Sequence, residues 1–457
     1  MFNTGWETLV RHGRTAIRSA KLAAIGVTTV IPPLTSRVLP KIVSWQPFYD
    51  SLGPDCDPSY ALRGGGSPIG CSDDAQLEES AASTFLTQGD TVVMTDYEET
   101  NEAYGAGRLE GYATLDGIRA AETYLRDIPA STPVGMVGYS GGAIASQWAA
   151  ELAPAYAPHI DLVGTAAGGV FVDPFHSLSF INGNATGWSD VIPVYLILLQ
   201  RAFGVPVASY LSALGVKIYQ ADENTSISDF ATGFTTFQQL VKPQYGDVSK
   251  VRPFVKALDQ LIMGSDGTPK SPMFLGNGEG TKNNGWDGDG IMITDDVEGL
   301  AHEYCSRGVP VEFQVYNGLP HVEAFAPFIS YAIPYLTDRL NGLPAPSNCA
   351  SIGTGNSLAP QPIPAAPRRA HGHKHSGTGT SATNASAATA GTHGTADIGC
   401  ASRSTFRISG TSRIPGRSPE SQSRQSRPAG TDSLSGTMWS TTSTRGGVSR
   451  SAIRGSC

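Results

Sequence analysis

Val134-Gly135-Met136-Val137-Gly138-Tyr139-Ser140-Gly141-Gly142-Ala143-Ile144-Ala145-Ser146-Gln147-Trp148-Ala149-Ala150-Glu151-Leu152 is the stretch from which the fold can be read. It opens on a short apolar run, passes through Gly138-Tyr139-Ser140-Gly141-Gly142, and continues into residues that read as helix. The pattern G-x-S-x-G is by itself a weak signal in a chain with 53 glycines. Strand, tight turn and helix in that order give it meaning. A serine at such a turn is forced into a strained backbone, so its neighbours must be small, and its Oγ is lifted above the sheet at the positive end of the following helix. The plainer reading is a glycine-rich turn with a capping serine. As a nucleophile, Ser140 needs more: a hydroxyl is nearly inert at neutral pH, so a base must lie within hydrogen-bond reach and a carboxylate must orient that base.

Outward from this turn, short apolar runs alternate with helical patterns. Candidate strands are Lys41–Trp45, Thr91–Thr95, Val134–Val137, Leu162–Thr165, Pro272–Leu275 and Val311–Tyr316. Between the second and third, Arg108 to Arg126 places Leu109, Tyr112, Ala113, Leu115 and Ile118 at helical spacing, which makes one βαβ unit. A later helix is expected from Thr294 to Arg307, with Asp295 and Asp296 at its positive end, Arg307 at its negative end and Gly308 to stop it. The alternation predicts an α/β protein of the α/β-hydrolase fold, a mostly parallel sheet with helices on both faces. Residues 175–271 break the pattern and read as an inserted lid or cap. Within them the apolar run Val191–Leu199 is interrupted by Pro193 and is too short to span a bilayer, so no transmembrane helix is expected.

In this fold the chain order is serine, acid, histidine. His159, His176, His302 and His321 follow Ser140 in the part expected to be ordered. His302 falls inside the Thr294–Arg307 helix, and His159 and His176 precede any plausible acid strand. His321 remains, placed after the strand Val311–Tyr316 in the loop opened by Asn317-Gly318-Leu319-Pro320. Asp287 and Asp289, after the strand Pro272–Leu275, are the acid candidates. The competing reading of Asp287-Gly288-Asp289-Gly290 is an Asx-rich turn or a calcium loop, and the further acidic ligands of an EF-hand are missing.

The ends of the chain differ from its middle. From Ala350 onward there are twelve Lys or Arg against three Asp or Glu, a balance of +9, so the part before it carries −17 to give the chain's −8. Such an acidic body argues against nucleic acid or an anionic membrane as the main partner. Residues 350–457 are rich in Ser, Thr, Gly, Ala, Pro and Arg, and read as a disordered low-complexity tail behind a hydrolase domain of residues 1–349. So abrupt a change also fits a shifted reading frame. His371-Gly372-His373-Lys374-His375 in that tail lacks partners for firm metal binding. At the other end, basic Arg11 to Lys21 and apolar Leu22 to Ile31 loosely imitate an export signal, but Gly26, Thr28, Thr29 and the missing small-residue cleavage site favour a strand over Ile25–Ile31. The six cysteines form no CxxC pair. In an exported protein the sequence-local pairings are Cys56–Cys71 and Cys305–Cys349, one of three ways to join those four.

With these residues in place, the chain resembles the fungal and actinobacterial secretory lipases, the family of Candida antarctica lipase A. The resemblance covers roughly Ile42 to Leu340. Its most specific parts are Pro54-Asp55-Cys56-Asp57-Pro58-Ser59-Tyr60, Asp96-Tyr97-Glu98, Gly111-Tyr112-Ala113-Thr114-Leu115-Asp116-Gly117-Ile118-Arg119-Ala120, and the turn at Ser140 through Tyr156-Ala157-Pro158. It implies an unbroken register from acid to histidine through Tyr304-Cys305-Ser306-Arg307-Gly308, which puts the acid at Asp289 and leaves Asp287 in reserve. It also implies an oxyanion hole from the backbone N–H groups of Gly141 and Asp96, a lid over an acyl-chain pocket, and secretion. The expected activity is hydrolysis of lipid or other small carboxylic esters through an acyl-enzyme, carried by Ser140, Asp289 and His321 with no cofactor. The alternatives are acyl transfer on the same triad and a catalytically silent binding protein of the same fold.

Overall fold

The computed structural model describes residues 27–34, 41–62, 69–125, 128–129, 131–183 and 185–366, with backbone alone for 69–76. Its strands are β1 (Thr28–Ile31), β2 (Ile42–Gln46), β3 (Thr91–Thr95), β4 (Pro133–Tyr139), β5 (Asp161–Gly168), β6 (Met273–Glu279), β7 (Thr281–Asn283), β8 (Trp286–Gly288) and β9 (Val311–Asn317). Seven form one sheet in the order β1-β3-β2-β4-β5-β6-β9, and β7 and β8 form a separate hairpin. Every pairing in the large sheet is parallel except that of β1, which lies antiparallel to β3 with Thr28 opposite Thr95. The strand expected over Ile25–Ile31 is thus present from Thr28, and the proposed export signal before Val27 lies outside the described residues.

The longer helices are α1 (Ile69–Gln88), α2 (Gly107–Leu125), α3 (Gly141–Tyr156), α4 (Pro174–Ile181), α5 (Ile192–Phe203), α6 (Ala213–Asp222), α7 (Arg252–Leu258), α8 (Thr294–Ser306) and α9 (His321–Leu340). Alternation along the strands feeds two cores. Val43, Trp45, Val92, Met94 and Phe274 face Phe85 and Leu86 of α1 and Phe328, Tyr335 and Leu336 of α9. Ile42, Val93, Met136 and Leu275 face Leu115 and Ile118 of α2, Ile144 and Trp148 of α3, and Val297 and Leu300 of α8. Burial on both faces is why the central strands read as continuous apolar runs. α8 ends at Ser306 because Gly308 takes φ +85°, as the sequence predicts.

Two expectations are corrected. Pro193 does not interrupt an apolar run; it occupies the first turn of α5, where the missing N–H costs nothing, and the residues from Ile192 to Leu199 are buried in one helix. The low-complexity boundary at Ala350 is too early. Asn356 N–H donates to Asp295 O at 2.8 Å, Gly353 N–H to Glu298 at 2.9 Å and Gln361 N–H to Asp259 at 2.9 Å, and Leu358 is buried. Residues 350–366 are therefore strapped to the body by backbone hydrogen bonds, which composition does not reveal. The rest of the expected tail, His371 to His375 included, lies outside the described residues.

Cys305 and Cys349 are joined in a disulfide that ties the end of α8 to the segment after α9. The side chain of Cys71 lies outside the described residues, and with it the expected Cys56–Cys71 pairing. No helix among the described residues is long and apolar enough to cross a membrane.

Candidate active site

Ser140 stands between the last residue of β4 and the first of α3 with φ 53° and ψ −122°, a left-handed conformation that costs a non-glycine residue energy and persists only where its surroundings impose it. Its N–H donates to Gly168 O on β5 at 2.8 Å, and its carbonyl accepts from Ala143 N–H at 3.0 Å. The small neighbours are obligatory. A Cβ on Gly138 would run into the Gly142 carbonyl, one on Gly142 into the Gln46 carbonyl, and one on Gly141 into Asp50 Oδ1.

His321 Nε2 lies 2.8 Å from Ser140 Oγ, and His321 Nδ1 lies 2.6 Å from Asp289 Oδ2. The sequence places His321 in a loop; the structure makes it the first residue of α9, after Pro320 at the cap. Proline and glycine before it suggest a loop, yet proline is equally a residue that precedes a helix. Its main chain and its ring are both held in place. His321 N–H donates to Asp289 O at 2.8 Å, the Tyr139 hydroxyl donates to His321 O at 2.5 Å, and a Cβ on Gly169 would sit 2.7 Å from Cε1. Asp289 is fully buried just after β8, where Oδ1 accepts from Ile291 N–H at 2.9 Å and Met292 N–H at 2.7 Å. That occupies one carboxylate oxygen and aims the other at the imidazole. Asp287, the reserve acid, lies on β8, half exposed, with Lys282 Nζ 2.8 Å from Oδ2.

Burial pushes the His321 imidazole down, but the charge and hydrogen bond of Asp289, with Asp50 further off, outweigh this and hold it above the ordinary histidine value. The other candidate histidines are engaged elsewhere. His159 is half exposed near Glu122, His302 is exposed on α8, and His176 Nδ1 lies 2.8 Å from Asp296 Oδ1.

The oxyanion-hole expectation needs correcting at Asp96. Its N–H donates to Val27 O at 2.9 Å, extending the β1–β3 ladder, and its carboxylate accepts from Ser59 N–H at 2.9 Å and Ser59 Oγ at 2.6 Å. Burial raises that carboxyl to about 6 even so. The reason is topological. β3 precedes β4 in sequence, but β2 lies between them in the sheet, so the loop next to Ser140 follows β2. Asp50 in that loop, at φ 37°, brings its carboxylate against Gly141. Sequence reasoning missed Asp50 because the crossover is invisible in a linear pattern; Tyr49-Asp50-Ser51, just ahead of the Pro54–Tyr60 motif, was the available signal.

Ser140 and His321 are 6% and 5% exposed, so the site is covered. Trp188, from the insertion between α4 and α5, meets the His321 ring edge-on with centroids 6.0 Å apart, and would be 3.2 Å from a Cβ on Gly290.

A buried serine, histidine and aspartate in one hydrogen-bonded row at a strand-to-helix elbow define a protein of the α/β-hydrolase class. The secretory lipase profile matches residues 72–348, and the chain belongs to that family. It is a carboxylic ester hydrolase of the lipase and esterase type. A secreted triacylglycerol lipase of Malassezia furfur is 28% identical over 347 residues, covering 73% of this chain and 87% of the relative. A protein of Mycobacterium tuberculosis named a probable inactive lipase is 29% identical over 333 residues, 70% of either chain. The fold is similar to that of Candida antarctica lipase A in its closed state, with a TM-score of 0.60 at 24% identity, covering 74% of this chain and 77% of that one.

Proposed function

We propose that the protein hydrolyses lipid esters, acylglycerols or close relatives, through an acyl-enzyme on Ser140. The observation that carries this is the unbroken row from Ser140 Oγ through His321 to Asp289, at 2.8 and 2.6 Å. His321 Nε2 takes the hydroxyl proton as Oγ attacks the ester carbonyl. Asp289, fixed by two backbone N–H groups, keeps the proton on Nδ1 and supports the imidazolium that forms. The oxyanion meets the N–H of Gly141 at the start of α3 and, from the other side, the main chain of the Tyr49-Asp50 turn. His321 then protonates the leaving alcohol, and a water activated by the same histidine releases the acid. No step needs a cofactor.

The apolar insertion between β5 and β6 acts as a lid over the acyl chain, with Trp188 closing the histidine side. Secretion fits the family and the Cys305–Cys349 disulfide, since such bonds persist in oxidising compartments. A relative is named a probable inactive lipase, so membership of the family is not by itself the argument for activity; the complete row of residues favours the active reading here. Purified protein is assayed on p-nitrophenyl esters of increasing chain length and on emulsified triacylglycerol, beside Ser140→Ala. Turnover is expected from the parent and only background from the variant, and equal turnover by both would reject Ser140 as nucleophile.

A further inference from the structure

The loop after β3 grips the loop after β2 at three points. Tyr97 Oη donates to Pro47 O at 2.6 Å, Glu98 N–H donates to Tyr49 Oη at 2.7 Å, and Ser51 N–H donates to Glu98 Oε1 at 3.4 Å. The rings of Tyr49 and Tyr97 pack at 4.8 Å. Between those anchors stands Asp50, whose carboxylate lies against Gly141. Asp96-Tyr97-Glu98 is thus a brace for the turn beside the nucleophile.

Glu98 is 2% exposed, and its Oε2 has no hydrogen-bond partner among the described residues. The ionisable groups facing it are Glu110, Glu102, Asp50 and Asp57, with the phenols of Tyr49, Tyr97 and Tyr104. Among the described residues the cation here is Arg201, which points its guanidinium at the carbonyls of Leu52, Glu102 and Glu223 and acts on Glu102. Beside the cluster is a cavity of about 760 Å³ lined in part by Asp57, Asp96, Glu102 and Arg201. A carboxylate buried without a cation and with an oxygen unpaired is poorly supported, so the neutral acid is the form the fold accepts.

We propose that Glu98 is a positioning residue for ester hydrolysis: its Oε1 holds Ser51 N–H, and with it the Tyr49-Asp50 turn, against Gly141, and a negative charge on Glu98, set beside the Asp50 carboxylate, pushes that turn away. This rests on the reading of Ser140 as nucleophile and of that turn as the second wall of the oxyanion site. Burial first, then the neighbouring acids, raise the Glu98 carboxyl well above the ordinary range, while Asp57 goes to about 8 and Glu102 to about 7. A raised acid favours the fold while protonated. The hold is therefore complete below the ordinary carboxylate range and is lost as pH climbs through the raised value.

The test compares the parent, Glu98→Gln and Tyr97→Phe on a short p-nitrophenyl ester from pH 5 to 10, with melting temperature followed over the same range. Gln keeps the acceptor for Ser51 and cannot ionise, so it should keep the acid limb of kcat, lose the alkaline limb that belongs to Glu98, and show a smaller fall in melting temperature with rising pH than the parent, since Asp57 and Glu102 titrate in both. Tyr97→Phe, which loosens the same turn without touching the acid, should lower kcat about tenfold with KM little changed and both limbs in place. A Glu98→Gln profile superimposed on the parent's, or a parent without an alkaline limb, overturns the proposal. Should Glu98→Gln fail to fold, the infrared band of protonated carboxyl groups decides: the parent must show it at neutral pH, and its absence overturns the proposal. Ser140→Ala in the same assay tests the nucleophile separately, and the melting curves report on Glu98 whatever that outcome.

Discussion

Replacing Asp289 by Asn tests the row of residues at its most specific joint. The change is nearly isosteric. Asn Oδ1 can go on accepting from the N–H groups of Ile291 and Met292, at 2.9 and 2.7 Å in the parent. Those two donors fix the amide orientation, so its Nδ2 must take the place of Oδ2, 2.6 Å from His321 Nδ1. A donor there turns Nδ1 into an acceptor and moves the ring proton to Nε2, which then faces Ser140 as a donor and cannot take its proton. In a serine protease the equivalent change lowers kcat about 10⁴-fold, roughly 5.5 kcal/mol of transition-state stabilisation. The same loss is expected here, with the fold kept. The acid limb of the pH profile should also move to lower pH, because the charge that holds the imidazole above its ordinary value is gone. Steady-state kinetics on a soluble ester read both effects. A variant within about tenfold of the parent would refute the role given to Asp289, and Asp287→Asn, which only loses Lys282, serves as the unchanged control.

Further outcomes follow from other parts of the molecule. In the parent, kcat/KM should fall with acidification at a pH above that of an ordinary histidine, since His321 must be neutral to act as base and Asp289 favours its charged form; an acid limb below about 6.5 would contradict this. Trp188→Ala removes the ring at 6.0 Å from His321 and should raise kcat/KM for esters of bulky alcohols several-fold more than for ethyl esters, measured in competition. Equal effects on both would remove Trp188 as a determinant. Paired Cys305→Ser and Cys349→Ser replacements open a loop with a sequence separation of 44 and should cost about 4 kcal/mol by chain entropy, visible as a melting temperature lower by several degrees.

The sequence carries the sheet well because its central strands are buried on both faces and flanked by glycine-rich turns. Thr91–Thr95 is recovered to the residue, and β4 and β9 differ from their expected limits only at the ends. Ser140 is legible because steric demand dictates its neighbours, whereas Asp289 is singled out from Asp287 only by the register that the family resemblance implies, ending at His321. What was not legible is what depends on neighbours distant in sequence. The family resemblance implies Asp96, after β3, for the oxyanion site, but the β3-β2-β4 order puts the loop of Asp50 next to Ser140. Trp188 lies in a loop with no periodicity, and its meeting with His321 arises from the folding of the insertion across the sheet. The ordered strap of residues 350–366 is held by backbone donors and acceptors, which every residue but proline has in full and no composition profile can register.

The most direct test of the account is the site of covalent capture by a fluorophosphonate. Such a probe reacts with a serine only when a base activates it, and it records the nucleophile without assuming any substrate. Intact mass spectrometry should show one adduct per chain, peptide mapping should place it on Ser140, and Ser140→Ala and Asp289→Asn should suppress it. A folded parent that stays unlabelled, or an adduct on another serine, would contradict the claim that this chain is a working serine hydrolase built on Ser140, His321 and Asp289.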